Sequence, residues 1–300
     1  MFKKATRQQL KLRLALIGPA GSGKTYTALR VARGLAGDAG SIAVIDSERG
    51  SASIYAGEVT EYDVCELESF HPERYIEAIQ AADAQGYDVL IIDSLSHAWD
   101  GKDGALELKD RAAKRSRSGN SFTAWREITP LHNRMVDAIL QCRAHVIVTM
   151  RAKTAYAQVK DEKSGRTKIE KLGMEAIQRS GMEYEFTVVG DLDLQHNLMV
   201  SKTRCALLDG AMLSRPGEAL GQQLLTWLGR GEPVLTPRQQ LAAACAEHEL
   251  AVDDVLGFYE SGSPPRRVLE WPPPKMASAV AWLKGEGAER FAAWQAGGSE

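Results

Sequence analysis

A chain of 300 residues makes one large domain, or one domain with a small appendage, since domains take roughly 100 to 200 residues each. Hydrophobic residues at 44%, charged ones at 25% and aromatics at 7% exclude a largely disordered or fibrous chain. The formal net charge of -2, from 37 Lys and Arg against 39 Asp and Glu, argues against a surface that is basic throughout, although a sum over the chain conceals where its charges sit.

Met1 to Arg13 holds five basic residues (Lys3, Lys4, Arg7, Lys11 and Arg13) and no acidic one. No apolar h-region follows, so neither a signal peptide nor a membrane span is expected. Leu12 to Ile17 reads as a strand and Thr25 to Leu35 as a helix. Short apolar runs bounded by Gly, Asp and Ser predict further strands at Ile42 to Ile45, Val89 to Ile92 and Val146 to Met150. Helical spacings fall at His71 to Ala84 and Ile128 to Arg143. This alternation implies an α/β fold, with a mainly parallel sheet flanked by helices on both faces. Tyr184 to Val189 and Leu198 to Ser201 predict antiparallel C-terminal strands around the turn Gly190 to Asn197.

The core is expected to end near Leu228 and Gly229 to Pro233 to act as a linker, which divides the chain into residues 1–231 and a small helical appendage, 232–300. Thr236 and Pro237 form a helix start for Arg238 to Leu250. Five of the eleven prolines then fall in Ser261 to Pro274 and interrupt helix, after which Lys275 to Lys284 and Ala288 to Gln295 are expected to be short helices. Cys65, Cys142, Cys205 and Cys245 form no C-x-x-C pair, which suggests reduced thiols in a cytoplasmic chain.

Chemistry concentrates after the first strand. Gly18-Pro19-Ala20-Gly21-Ser22-Gly23-Lys24-Thr25 fits G-x-x-x-x-G-K-[ST] and lies between strand and helix. Glycines let such a loop wrap phosphates with backbone N–H groups, and the helix N-terminus adds its positive end. Lys24 is expected on the β- and γ-phosphates and Thr25 on Mg2+. Asp93, at the end of Val89 to Ile92, is the second metal residue, and Glu48, after the second strand, is the candidate general base, with Asp46 in reserve. The expected ligands are therefore ATP and Mg2+. No N-K-x-D guanine motif occurs, which disfavours a GTPase, and neither an acceptor pocket nor an arginine lid for a small-molecule kinase is evident.

The order of these parts resembles the RecA-like P-loop ATPase core over Leu12 to Gly210. Ile54-Tyr55-Ala56 and Ile91-Ile92-Asp93-Ser94-Leu95 add to the likeness. The phrases Thr149-Met150-Arg151-Ala152-Lys153-Thr154, Gly181 to Phe186 and Ser201 to Arg204 are similar to phage-encoded RecA-like ATP-binding proteins of recombination and single-strand annealing. The resemblance implies a RecA-type sheet, Glu48 as catalytic glutamate, Asp93 as the Mg2+ partner and Thr149 as the polar sensor, where RecA-type proteins commonly place glutamine. It further implies Lys202 and Arg204 acting across a subunit interface on a neighbour's ATP, hence a homo-oligomer, in the host cytoplasm if the chain is phage-encoded. Few residues precede the first strand, so some oligomer is better supported than a filament. The appendage matches no RecA C-terminal domain.

Charge is uneven. Asp38 to Asp110 carries 17 acidic and 4 basic residues, Lys109 to Arg126 has six basic against one acidic, and Arg151 to Arg179 has eight against four. The two basic stretches follow strands where the resemblance places DNA-binding loops. Lys114, Arg115 and Arg117, in a polar and mobile-looking segment, and Arg151, Lys153, Lys160, Lys163, Arg166 and Lys168, around a hairpin spanning Tyr156 to Leu172, are the candidate contacts to single-stranded DNA. Phe122 and Trp125 are candidate stacking residues. Two functions remain open: a DNA-stimulated ATPase, and an ATP-switched interaction protein that recruits a partner such as single-strand-binding protein.

Overall fold

An unbroken run of buried residues without alternation, Arg13–Gly18, forms strand β1 at the centre of the sheet. The computed structural model describes residues 10–115, 121–160, 167–230, 237–246, 255, 273–287 and 289–291. Helix α1, Lys24–Ala36, follows β1, and Ala28, Leu29, Val31, Ala32 and Leu35 bury its apolar face. Next come β2, Ile42–Asp46, then β3, Asp63–Glu66, helix α2, Pro72–Gln85, and β4, Val89–Asp93, which is buried throughout. A one-turn helix, His97–Asp100, is α3, and α4, Ala105–Arg115, and α5, Ser121–Gln141, complete the first half.

Strand β5, His145–Lys160, pairs along its last part with β6, Thr167–Ala176, as an antiparallel ribbon. Strands β7, Val188–Leu192, β8, Asn197–Thr203, and β9, Met212–Ser214, then add antiparallel pairs, and α6, Glu218–Leu228, closes this part of the chain. The sheet runs β3-β2-β4-β5-β1-β7-β8-β9, with β6 joined to β5. Pairs from β3 through β7 are parallel. Apolar side chains cover both faces in two clusters, one with Leu14, Leu16, Leu29 and Leu224, the other with Ile45, Tyr75, Ile92 and Val148, as a parallel sheet requires.

Three expectations change. Strand β3 is absent from the sequence reading because all four of its residues are exposed and show no apolar alternation. Only its parallel register with β2, Ala43 opposite Asp63 through Asp46 opposite Glu66, makes it a strand, and its charges suit an edge. Helix α5 begins at Ser121, upstream of the expected Ile128, and carries Pro130 inside it. Ala124 and Ile128 are buried there, so packing holds a turn that propensity alone would not. Tyr184 to Val189 is not one strand: Met182–Glu185 is a 3-10 turn and the strand starts at Val188.

Arg13, a charge inside a buried strand, donates through Nη1 and Nη2 to the carbonyls of Leu12, Leu140, Cys142 and Ala144, while its Nε is buried without a hydrogen-bond partner among the described residues. Beside it, the Leu12 N–H donates to His145 Nδ1 at 3.0 Å. Burial, then the charges of Lys11 and Arg13, push His145 down to about 4. The unfolded chain binds this proton below about 6.5 while the folded one does not, so stability falls as pH drops from 6.5 to 4. The expected loss is about 3 kcal/mol. In denaturant titrations across that range, His145→Gln should flatten the slope; an unchanged slope would show that His145 is not its source.

The chain divides into two compact units, Gln9–Gly231 and a second containing Glu232–Glu300. In the second, helix α7, Pro237–Ala246, buries Leu241, Ala244 and Cys245, and helix α8, Pro273–Trp282, buries Ala279 and Val280. Among the described residues no helix is long and apolar enough to cross a membrane.

Candidate functional site

The parallel strands end together. Register pairs Asp46 with Asp93 and Gly18 with Arg151, so the loop after β1 and the acidic ends of β2 and β4 share one rim of the sheet. Strand β5 lies between β1 and β4, which places Thr149 beside Asp93.

In the loop, a Cβ on Gly18 would lie 2.5 Å from Ser22 Oγ and 2.7 Å from the Leu192 carbonyl, so only glycine permits that approach. Gly23 has φ 82° at the N-cap of α1, and no side chain caps the helix. Its first-turn N–H groups therefore face outward for an anion. Lys24 Nζ donates to the Pro19 carbonyl at 2.9 Å. Burial lowers its pKa, against which Asp93 and Glu48 act to raise it and Arg151 to lower it. Ser22 Oγ is buried without a hydrogen-bond partner. An uncapped helix end, an orphaned hydroxyl and a lysine held only by a carbonyl form a donor set that fits a polyphosphate.

Asp93 is 1% exposed. Its Oδ2 accepts from Thr25 Oγ1 at 2.6 Å and its Oδ1 from Thr149 Oγ1. Burial raises its pKa; the two hydroxyl bonds oppose that rise, and Glu48 and Asp46 add to it. A buried carboxylate with hydroxyl donors and, among the described residues, no cation in direct contact is a place where a hard divalent ion would offset the charge. Thr25 and Asp93 supply the oxygen ligands that suit Mg2+. Thr149, fully buried, donates its hydroxyl to Asp93. The residue expected as a sensor of the γ-phosphate thus holds the Asp93 carboxylate.

Asp46 is likewise occupied. Its carboxylate accepts from the backbone N–H groups of Glu48 and Ala52 and folds the loop that carries Glu48, so it is not a reserve base. Glu48, 27% exposed at its side chain, forms an ion pair with Arg151, 3.0 Å to Nη2 and 3.1 Å to Nε. Ser47 ties this loop to the end of β4: its N–H donates to the Asp93 carbonyl at 2.7 Å, its Oγ accepts from Ser94 N at 2.8 Å, and Oγ lies 2.8 Å from His97 Nδ1. Burial, chiefly, lowers the pKa of His97, which stacks on Phe70 at 4.7 Å. No motif announced Ser47 or His97; small polar residues at strand ends were the available signal.

A cavity of about 530 Å³ opens beside the loop, lined by Gly21, Gly23, Tyr26, Thr27, Arg30, Tyr55, His196, Arg215 and Pro216. Tyr26 and Tyr55 meet edge to face at 5.7 Å, and His196 Nδ1 lies 3.1 Å from the Ser22 carbonyl. Apart from Gly21, Gly23 and Tyr55, sequence reasoning did not single these residues out, since the lining comes from four separate segments.

The other candidates spread out. Lys202 Nζ donates to the carbonyls of Glu183, Tyr184 and Phe186 at 3.0, 2.6 and 2.7 Å. These bonds hold the 3-10 turn that replaces the expected strand, so its ammonium is engaged within its own chain, and Arg204 is the exposed member of the pair. Lys114 and Arg115 are exposed in the last turn of α4, a helix where a mobile loop was expected, and Arg115 pairs with Glu127 at 2.9 Å. Arg117, Lys163 and Arg166 lie outside the described residues. Lys153 pairs with Glu175 at 3.6 Å, and Lys160 and Lys168 belong to the ribbon strands. Trp125 stacks on Trp99 at 5.5 Å and has Lys109 Nζ 5.9 Å from its ring. That packing corrects its reading as an open platform for bases; of the Phe122 side chain nothing is described.

The sheet order and the glycine-rich loop after β1 define an α/β P-loop fold. Residues 10–209 match the family model of an AAA domain, and the chain belongs to that family. No curated protein matches it significantly. Among solved structures, a KaiC-like protein from the hyperthermophilic archaeon Pyrococcus horikoshii OT3 is similar at 14% identity, over 67% of this chain and 83% of that one, with a TM-score of 0.38.

Proposed function

We propose that the protein is a Mg2+-dependent ATPase that acts on single-stranded DNA in phage recombination, annealing or replication. The observation that carries the hydrolytic part is the Thr25–Asp93 contact at 2.6 Å, which joins the phosphate loop to a buried carboxylate in the same arrangement as a metal pair. The triphosphate lies along Gly18 to Thr25, with Ser22 and Lys24 donating to it and the base and ribose in the cavity of Tyr26 and Tyr55. Thr25 and Asp93 would hold Mg2+, which would supply positive charge to offset that of the phosphates, and Thr149 keeps Asp93 in place. Water adds to the γ-phosphorus, the bond to the β–γ bridging oxygen breaks with its electron pair leaving on ADP, and Glu48 takes the water's proton. Arg204 reaches a neighbour's nucleotide in a homo-oligomer.

Support for the DNA part is the basic ribbon of β5 and β6, rooted beside the site, together with Lys114 at the end of α4. Phosphate neutralisation there gives weak sequence preference and strong salt dependence. The Glu48–Arg151 pair favours a second reading, an ATP switch with little turnover that recruits a partner such as single-strand-binding protein, because it holds the base when no nucleotide is bound. Steady-state phosphate release with and without Mg2+ and oligo-dT separates the two. The expected result is turnover that requires Mg2+ and rises severalfold with the oligonucleotide. Tight ATP binding with negligible turnover under both conditions would select the switch.

A further inference from the structure

Arg151 stands in an unexpected place for a residue of the basic stretch. It is the last residue of β5 in register with β1, opposite Gly18, the first residue of the phosphate loop. Neighbouring strands run about 4.8 Å apart, so its backbone borders the loop directly. That backbone is fixed: the Arg151 N–H donates to Ser96 Oγ at 2.9 Å, and its carbonyl accepts from the Ile177 N–H at 2.7 Å. The side chain is the free part. It is 45% exposed, and its fork turns toward Glu48; its charge is also among those felt by Lys24. A guanidinium at this spot faces the place where the end of a triphosphate on Lys24 would lie.

Resting on the ATPase reading above, we propose that Arg151 is a cis-acting arginine of the hydrolytic site: when ATP binds, its guanidinium leaves Glu48 for the γ-phosphate, and the exchange frees Glu48 to accept the water's proton. The competition favours this direction. A half-exposed carboxylate pair is a weak tie, whereas a terminal phosphate carries more charge and offers three oxygens to a planar fork made for it. One residue then couples arrival of the γ-phosphate to release of the base, and cleavage to ADP returns Arg151 to Glu48. Arg151 is thereby withdrawn from the DNA contacts and assigned to the nucleotide.

Equilibrium binding of ADP and of the β,γ-imido analogue of ATP to the full chain, with Mg2+, tests this beside turnover. Arg151→Ala is expected to lower the preference for the analogue over ADP about tenfold, the size of a lost charge-assisted bond, with ADP affinity unchanged and turnover reduced. Arg151→Lys, which keeps charge and fold, should recover part of the preference. Glu48→Gln removes the competing carboxylate and should raise the preference, and that rise should vanish in the double variant with Arg151→Ala. A wild-type preference in Arg151→Ala, or turnover faster than wild type, overturns the proposal. Failure of the unaltered protein to bind either nucleotide is read on that protein alone and overturns the ATPase reading, with this inference falling alongside it.

Discussion

Glu48→Gln is expected to lower steady-state ATP turnover by about 10² to 10⁴-fold, the contribution of a general base, while ATP still binds. The substitution keeps shape and removes only the capacity to take a proton. The two neighbouring strand-end carboxylates do not substitute: Asp46 is occupied by two backbone N–H groups and is 1% exposed, and Asp93 is engaged by two threonine hydroxyls. The loop should survive the change, because it is held by Asp46 and by Ser47 and not by the Glu48 side chain. Phosphate release measured beside ATP affinity makes the check. If turnover stays within tenfold of wild type, the base is another group, and the assignment of Glu48 fails while that of the phosphate loop stands.

Asp93→Asn should reduce turnover about 100-fold or more, through loss of the charge that balances Mg2+, and yet leave the ligand-free protein at least as stable as wild type. The second half follows from linkage. Burial raises the pKa of Asp93 above that of the unfolded chain, so the folded state holds this proton to higher pH. Stability therefore declines as pH rises from the unfolded value through the folded one, and once ionised the carboxylate works against the fold. Asparagine removes that charge and keeps an oxygen for one of the two hydroxyls. Thermal melting without nucleotide, beside turnover at saturating Mg2+, decides the matter. A clear fall in melting temperature would mean that the hydroxyl bonds outweigh desolvation; retained turnover would remove Asp93 from the metal site.

Both variants concern residues visible in the sequence, and the reason is locality. A phosphate loop is eight contiguous residues whose glycines serve positive φ and close approach, so Gly18 to Thr25 announces itself. Asp93 was legible because a wholly apolar strand ends in it. Elsewhere the same reasoning stopped short. Strand β3 has no pattern of its own, and α5 runs through a proline because Ala124 and Ile128 find burial. Lys202, expected on a neighbour's ATP, is instead held by the carbonyls of Glu183, Tyr184 and Phe186. The cavity beside the loop gathers Tyr26, Tyr55, His196 and Arg215 from segments that no spacing rule connects.

The sequence by itself determined that this chain has a parallel α/β core, a phosphate loop at its first strand and a buried acidic partner, because each depends on neighbours in the chain or on simple burial. Only the tertiary structure decided the direction of side chains whose partners are distant. It turned Thr149 to Asp93, closed Asp46 on its own loop, tied Ser47 to Ser94 and His97, and brought Arg151 from a basic stretch to Glu48. The physical reason is that an ion pair or hydrogen bond at about 3 Å depends on strand order and register. Here the insertion of β5 between β1 and β4 set both.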